Sequence, residues 1–175
     1  MKRFKRAGTI GRFKPLHHGH AELLTSLCEH SEHVTIGLGS PNKHDDRNPF
    51  TATESKEMID AVLQKRFTNY SFAEINDCGD NDEWKQIVKK QFSKLDAFVT
   101  ENTWVKSILL NDYRIVHPKE IMPKGKFLRL HATDIRKAMA RKEPWQHLVP
   151  TEVAKFIQEK KLDERFRTEF GEVTK

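Results

Sequence analysis

Apolar positions along the chain follow two repeats that take turns. Short runs rich in β-branched and aromatic residues come at Ala7 to Ile10, Val34 to Leu38, Tyr70 to Ile75, Ala97 to Thr100 and Tyr113 to Val116, and these predict five strands. Between them the spacing relaxes to three or four residues. Ala21, Leu23, Leu24, Leu27 and Cys28 predict a helix over about 19–30, and Met58, Ile59, Val62 and Leu63 predict another. Thr51-Ala52-Thr53-Glu54 has the form of a capping box that opens this second helix. Trp84, Ile87, Val88 and Phe92 predict a third helix over roughly 82–94, with a short one over about 103–111. Further helices are predicted over about 132–141 and after Pro150, the latter carrying Val153, Phe156 and Ile157. The charged tail, residues 160–175, is either a docked helix or a frayed end.

Strands alternating with helices on short connections predict an α/β fold: a Rossmann-like parallel five-stranded sheet with helices on both faces. No internal repeat and no long linker interrupts the pattern, so residues 1–159 are expected to form one domain, with 160–175 belonging to it or frayed. In such sheets ligands sit beyond the carboxyl ends of the strands. The site is therefore expected on the loops after Ile10, Leu38, Ile75, Thr100 and Val116.

Composition narrows the function classes. The chain has 175 residues, a net charge of +6 and two cysteines. No apolar run approaches the ~20 residues of a membrane span, and the basic N-terminus (Lys2, Arg3, Lys5, Arg6) lacks an apolar segment behind it, so a cytoplasmic protein is expected. Two cysteines without a C-x-x-C pattern give neither a disulfide framework nor a cysteine metal site. The positive balance points to an anionic partner, either a nucleotide or nucleic acid.

Chemistry-bearing residues stand where the fold rule asks for them. After the first strand come Gly11, Arg12, Phe13, His17, Gly19 and His20, the last three at a helix start. A helix start presents unpaired N–H groups and a favourable dipole to an anion. Gly37-x-Gly39-Ser40 and Arg47 follow the second strand, Asp77, Asn81 and Trp84 the third, and Thr100-Glu101-Asn102 the fourth. The last loop carries His131-Ala132-Thr133-Asp134-Ile135-Arg136. Each has an ordinary reading: the two glycines as a turn, Arg136 as a solvated charge, Trp84 as core packing, Thr133 as a helix cap. Three arginines, two histidines and two helix starts on one edge suit a polyphosphate.

Residues Gly11-Arg12-Phe13-Lys14-Pro15-Leu16-His17-His18-Gly19-His20 resemble the H-x-G-H nucleotidyltransferases, and within them the archaeal-type nicotinamide mononucleotide adenylyltransferases, whose signature reads G-R-F-Q-P-F-H-x-G-H. Arg47-Asn48-Pro49-Phe50-Thr51-Ala52 is similar to that family's R-[DN]-P-F-T-A, Asn81-x-x-Trp84 to its nicotinamide-recognising pair, Thr133-x-x-Arg136 to the end of S-G-T-E-I-R, and Trp145 with Leu148-Val149-Pro150 to W-x-x-L-V-P. The matching motifs run from Gly11 to about Pro150. Lys14 replaces glutamine, Leu16 replaces phenylalanine, Ser55 stands where arginine is common, and His131-Ala132 replace Ser-Gly.

The resemblance implies transfer of AMP from ATP to nicotinamide mononucleotide, giving NAD and pyrophosphate by in-line attack without a covalent intermediate. It implies catalytic roles for His17, His20, Arg136, Arg47 and Arg12. ATP would be bound by Gly11, Arg12, Phe13, His17, Gly19, His20, Asn102, Thr133, Ile135 and Arg136, and the acceptor by Phe50, Asp77, Asn81 and Trp84. Magnesium is expected with ATP, held by phosphates and water rather than by protein ligands. The partners implied are small nucleotides, not nucleic acid or membrane, with a homo-oligomer by analogy. The alternatives are adenylyl or cytidylyl transfer to phosphopantetheine, FMN or a phospho-alcohol, or a catalytically silent nucleic-acid-binding or regulatory module.

Overall fold

Residues 3–174 are described by the computed structural model; Lys2 of the basic N-terminal cluster and Lys175 at the end of the tail lie outside the described residues. In chain order the elements are β1 (Phe4–Gly11), α1 (His18–His30), β2 (Ser31–Gly39), α2 (Ala52–Leu63), β3 (Tyr70–Ile75), α3 (Asn81–Phe92), β4 (Ala97–Val99), α4 (Thr103–Leu109), β5 (Ile115–Val116), α5 (Ala132–Arg141), α6 (Thr151–Glu159) and α7 (Leu162–Thr174). The strands form one parallel sheet in the order β3-β2-β1-β4-β5. The order reverses beside β1, the place where doubly wound sheets open a crevice for ligand. No helix among the described residues is long and apolar enough to cross a membrane.

The expected fold class holds, with differences at the ends of strands. β1 and β2 begin earlier than the apolar runs suggest, because paired backbone continues through the exposed Lys5, Arg6 and Glu32 to the buried Phe4 and Ser31. β5 is shorter: Tyr113 is not in the sheet. Its ring is buried beside Phe98, and its hydroxyl donates to the Ser93 carbonyl oxygen at 2.9 Å. An aromatic packed from a loop reads like a strand residue. In the tail, Leu162 and Phe166 of α7 are buried in the main core, 3 % and 1 % exposed.

Two cores lie on the two faces of the sheet. On one, Val34, Ile36 and Leu38 of β2 meet Leu24 and Leu27 of α1, Met58 and Ile59 of α2, and side chains of α5, α6 and α7. On the other, Ala73 and Ile75 of β3 and Phe98 of β4 meet Trp84, Val88 and Phe92 of α3 and Val105 and Leu109 of α4. Alternation across the pleat explains the split of β2: its even positions face the larger core, while Gly37 faces α3.

That glycine and Gly8 have a packing reason. A Cβ on Gly37 would stand 2.6 Å from Ile10 Cγ1 and 2.7 Å from Phe92 Cζ; one on Gly8 would stand 2.7 Å from Phe92 Cδ1. The Phe92 ring therefore fills the space left by two absent side chains on neighbouring strands, which sets how closely α3 approaches the sheet.

Gly37→Ala is accordingly expected to destabilise the fold by about 1–3 kcal/mol, the usual cost of overpacking a filled core. Urea denaturation checks this, and Phe92→Leu added to Gly37→Ala should recover part of the loss. An unchanged midpoint in Gly37→Ala would mean the ring is not seated on the glycines.

Candidate active site

β1 ends in a tight turn whose side chains alternate between anchors and donors. Phe13 and Leu16 are buried, 2 % and 0 % exposed, whereas Arg12 is exposed. Phe13 adopts φ +54°, a strained value for a bulky residue, and Ser40 at the end of β2 adopts φ +55°. His17 caps α1: its Nδ1 accepts the backbone N–H of His20 at 3.2 Å. With Nδ1 used as an acceptor, the neutral ring carries its proton on Nε2. The His17 and His20 rings stack at 3.6 Å between centroids, and the Phe13 ring meets His20 edge-on at 5.0 Å. Gly19 lies in the same turn, and a Cβ there would come within 3.1 Å of the Leu128 carbonyl oxygen and 3.2 Å of the His17 ring.

Burial keeps both imidazoles neutral. It is the chief reason that His17 is lowered to about 4, with the charges of His131 and His18 adding to it. His20 is pushed well below its ordinary value by burial and by His17. Across the cleft, Arg136 of α5 is 7 % exposed and donates from Nη1 to the Lys14 carbonyl oxygen at 2.9 Å and from Nη2 to Thr133 Oγ1 at 3.3 Å. Burial, and then the neighbouring charges of Arg12 and Arg47, lower its pKa, against the opposing pull of Asp46. Two polar atoms here, His20 Nδ1 and Arg136 Nε, are buried without a hydrogen-bond partner among the described residues. Groups of that kind call for a ligand or water to complete them.

These residues line a cleft of about 330 Å³, together with Gly11, Phe13, Gly19, Asn102, Thr133 and Lys14. Among the described residues, Glu101 is the one carboxylate on its walls. Among the expected ATP ligands Ile135 and Asn102 are engaged by the fold itself, and the expected catalytic residue Arg47 stands apart. Ile135 is 1 % exposed in the main core, so only its backbone is available. Asn102 caps α4, its side-chain oxygen accepting from the N–H groups of Trp104 and Val105. Arg47 lies outside the cleft lining, exposed on the loop between β2 and α2.

A second cavity, about 320 Å³, opens beyond the end of β3 and is lined by Asp77, Asn81, Trp84 and Trp104 with Lys43, Cys78, Gly79 and Asp80. Trp84 is 5 % exposed and leans on the half-exposed Trp104, ring centroids 4.8 Å apart. Core packing and cavity lining are both true of Trp84. Phe50 does not join it: at 1 % exposed it sits in the main core and lines neither cavity, its position one residue before the cap of α2 turning it inward.

Two further residues, Trp104 and Lys14, belong to the site without a strong local signal in the sequence. Trp104 carried the signal of a lone aromatic in a short helix near a strand end. Lys14 stands in the sequence only as a departure from a pattern, yet it is 2 % exposed, lines the cleft and is linked through Ser40 to Asp77 of the second cavity. Its Nζ donates to the Ser40 carbonyl oxygen at 2.9 Å and to Asn48 Oδ1 at 3.3 Å, while Ser40 Oγ donates to Asp77 Oδ2 at 2.8 Å. Burial and then Arg12 bring its pKa down to about 8, with Asp45 and Asp77 opposing.

Residues 9–144 match the cytidylyltransferase-like family. The chain is 35 % identical to the nicotinamide-nucleotide adenylyltransferase of Thermococcus onnurineus over 93 % of this chain and 87 % of that protein. It is 33 % identical to the enzyme of the same name from Methanococcus vannielii, over 91 % and 96 %. Among solved structures it superposes on the bifunctional NMN adenylyltransferase/ADP ribose pyrophosphatase of Francisella tularensis with a TM-score of 0.70 at 19 % identity, a likeness of fold, and it spans about half of that longer protein (94 % of this chain, 52 % of that one).

The buried histidines make stability depend on pH. The unfolded chain protonates His17 near 6.5 and the folded one near 4, so the unfolded state binds the extra proton between these values and stability falls as pH drops through them. His17 alone should cost about 2 kcal/mol between pH 7.5 and pH 5. His17→Asn keeps a capping side chain without the titration and should flatten that part of the loss in urea melts at the two pH values. An unchanged slope would place the proton elsewhere.

Proposed function

The chain belongs to the cytidylyltransferase-like family, and from that membership, its archaeal relatives and its two cavities at the strand ends we infer that it is a nicotinamide-nucleotide adenylyltransferase, making NAD and pyrophosphate from ATP and nicotinamide mononucleotide. A 5′-phosphate oxygen of the acceptor bonds to the α-phosphorus of ATP as the bond from that phosphorus to the bridging oxygen of pyrophosphate breaks. The nucleophile is already ionised at neutral pH, so the protein needs no general base. Its task is to align two anions and to hold the charge that gathers on the α-phosphate and the leaving group.

In this reading the triphosphate lies in the cleft beside His17, His20, Thr133 and Arg136. His17 offers Nε2–H, His20 stands against it nearest the reacting phosphorus, and Arg136 holds the β- and γ-phosphates with the Thr133 hydroxyl. Arg12 at the mouth and Arg47 on its loop stabilise the transferred phosphate. Magnesium would enter with the ATP substrate, since among the described residues the walls offer cations and imidazoles rather than a carboxylate cluster. Asn81 takes the carboxamide, and the nicotinamide ring lies against Trp84 and Trp104. On the same reading the partners are small nucleotides rather than nucleic acid, and the reaction is cytoplasmic.

The observation that carries the proposal is the pair of buried, unpartnered polar atoms, His20 Nδ1 and Arg136 Nε, on residues lining a cation-rich cleft. Pyrophosphate release tests it, with ATP or CTP offered against nicotinamide mononucleotide, phosphopantetheine, FMN and a phospho-alcohol. Turnover confined to ATP and nicotinamide mononucleotide is expected. Preference for another acceptor would reject the assignment.

His20→Ala should lower kcat by about 10²–10³ while the denaturation midpoint moves little, the size seen when one donor is removed from a preorganised site. Trp104→Ala, at a half-exposed position, should raise KM for nicotinamide mononucleotide about tenfold and leave KM for ATP alone, the scale of one lost aromatic stack.

A further inference from the structure

The family match ends at residue 144, and the C-terminal helix lies beyond it. This helix is attached to the loop that carries Arg47. Arg165 Nη1 donates to Glu54 Oε1 at 2.7 Å, and Nη2 donates to Glu54 Oε2 at 2.8 Å and to the Pro49 carbonyl oxygen at 2.9 Å. Glu54 is the carboxylate of the α2 capping box, whose Oε2 also accepts the Thr51 N–H at 2.9 Å. One turn further along α7, Glu169 pairs with His44 Nε2 at 3.0 Å and the Phe170 ring meets the His44 ring edge-on at 5.2 Å.

The same loop is gripped from inside. Lys14 Nζ holds Asn48 Oδ1, and Asp45 Oδ1 accepts from the N–H groups of Arg47 and Asn48 and from Asn48 Nδ2, each at 2.9 Å. Residues 45, 48 and 49 are thus pinned around one residue whose side chain is exposed, Arg47. An isolated surface ion pair would matter little. A forked guanidinium on a mostly buried carboxylate, with a backbone carbonyl as third contact, fixes direction as well as distance.

We propose that Arg165 is a positioning residue for the adenylyl transfer: from the last helix it clamps Pro49 and Glu54, opposite Lys14, and so aims Arg47 at the reacting phosphates. The inference rests on the role given to Arg47 above. Burial opposes ionisation of Glu54, but the hydrogen bonds and charge of Arg165 outweigh it and hold its carboxyl below the usual range, so the clamp stays charged at neutral pH.

A double-mutant cycle tests this, using the full chain and steady-state pyrophosphate release, with melting curves to confirm folding. Arg47→Ala should lower kcat/KM about 10²-fold and Arg165→Ala about tenfold, since a displacement near 1 Å is costly in such sites. The double variant should fall no further than Arg47→Ala alone. Lys160→Ala breaks the Lys160–Glu57 ion pair, which ties the same end of the chain to α2 without touching residues 45–49, and should keep wild-type kinetics. Arg165→Lys keeps a charge without the fork and should fall between; it replaces Arg165→Ala in the cycle if the alanine variant does not fold. Multiplied losses of about 10³, or an Arg165→Ala enzyme with full activity, would overturn the clamp. An Arg47→Ala enzyme with full activity would instead overturn the role of Arg47, and the inference with it.

Discussion

A buried ammonium is costly unless hydrogen-bond acceptors surround it, and Lys14 is buried at the point where three loops meet. Its amine takes acceptors from the end of β2 and from the loop beyond it, and its own carbonyl oxygen takes the guanidinium of Arg136. The turn after β1, the Arg47 loop and the start of α5 are therefore tied at one residue. Ser40 extends the tie to Asp77 and the tryptophan cavity. Removing that amine would take the donor from Asn48 Oδ1 and leave the Ser40 carbonyl oxygen with the longer bond from the Lys43 N–H, so the geometry of the loops beside both proposed nucleotide positions depends on it.

The cleft divides its electrostatics between two kinds of group. The imidazoles are neutral in the free protein because burial disfavours their charge, and they offer directional N–H donors. Arg136 is crowded by the like charges of Arg12 and Arg47, which Asp46 and Asp45 offset in part. On the proposed reading a triphosphate would relieve both strains, supplying acceptors for unpartnered atoms and opposite charge for the cations. A site arranged this way has little affinity for neutral molecules and much for polyphosphates.

The strand and helix pattern was legible because burial on both faces writes continuous apolar runs, while helices packed on one side write a three-to-four spacing. The strand-end rule then located every loop that lines the cleft. What local pattern could not carry was the depth of a side chain. Lys14 stands in the sequence only as a replacement for glutamine, and the resemblance puts Phe50 at the acceptor, because burial at both is decided by elements distant in sequence. Trp104 and Arg165 fail for a related reason: the first faces Trp84 on another helix, and the second meets Pro49 across a separation of 116 residues. Such pairings are products of topology, not of spacing.

The fold and the proposed acceptor site are one mechanical problem along α3. Phe92 near its C-terminus is seated in the gap left by Gly8 and Gly37, and Trp84 and Asn81 stand at its N-terminus beside the cavity. A helix of twelve residues moves as a rod, so the approach allowed by two missing side chains at one end sets where the indole lies at the other. Asp80 caps that helix, and its neighbour Asp77 is held by Ser40, so the N-terminal end is registered against the loop that Lys14 anchors. Side chains chosen for packing on the far face of the sheet thus fix the distance between the aromatic slot and the phosphate cleft. In a reaction that joins two nucleotides without a protein nucleophile, that distance is the quantity the protein has to supply.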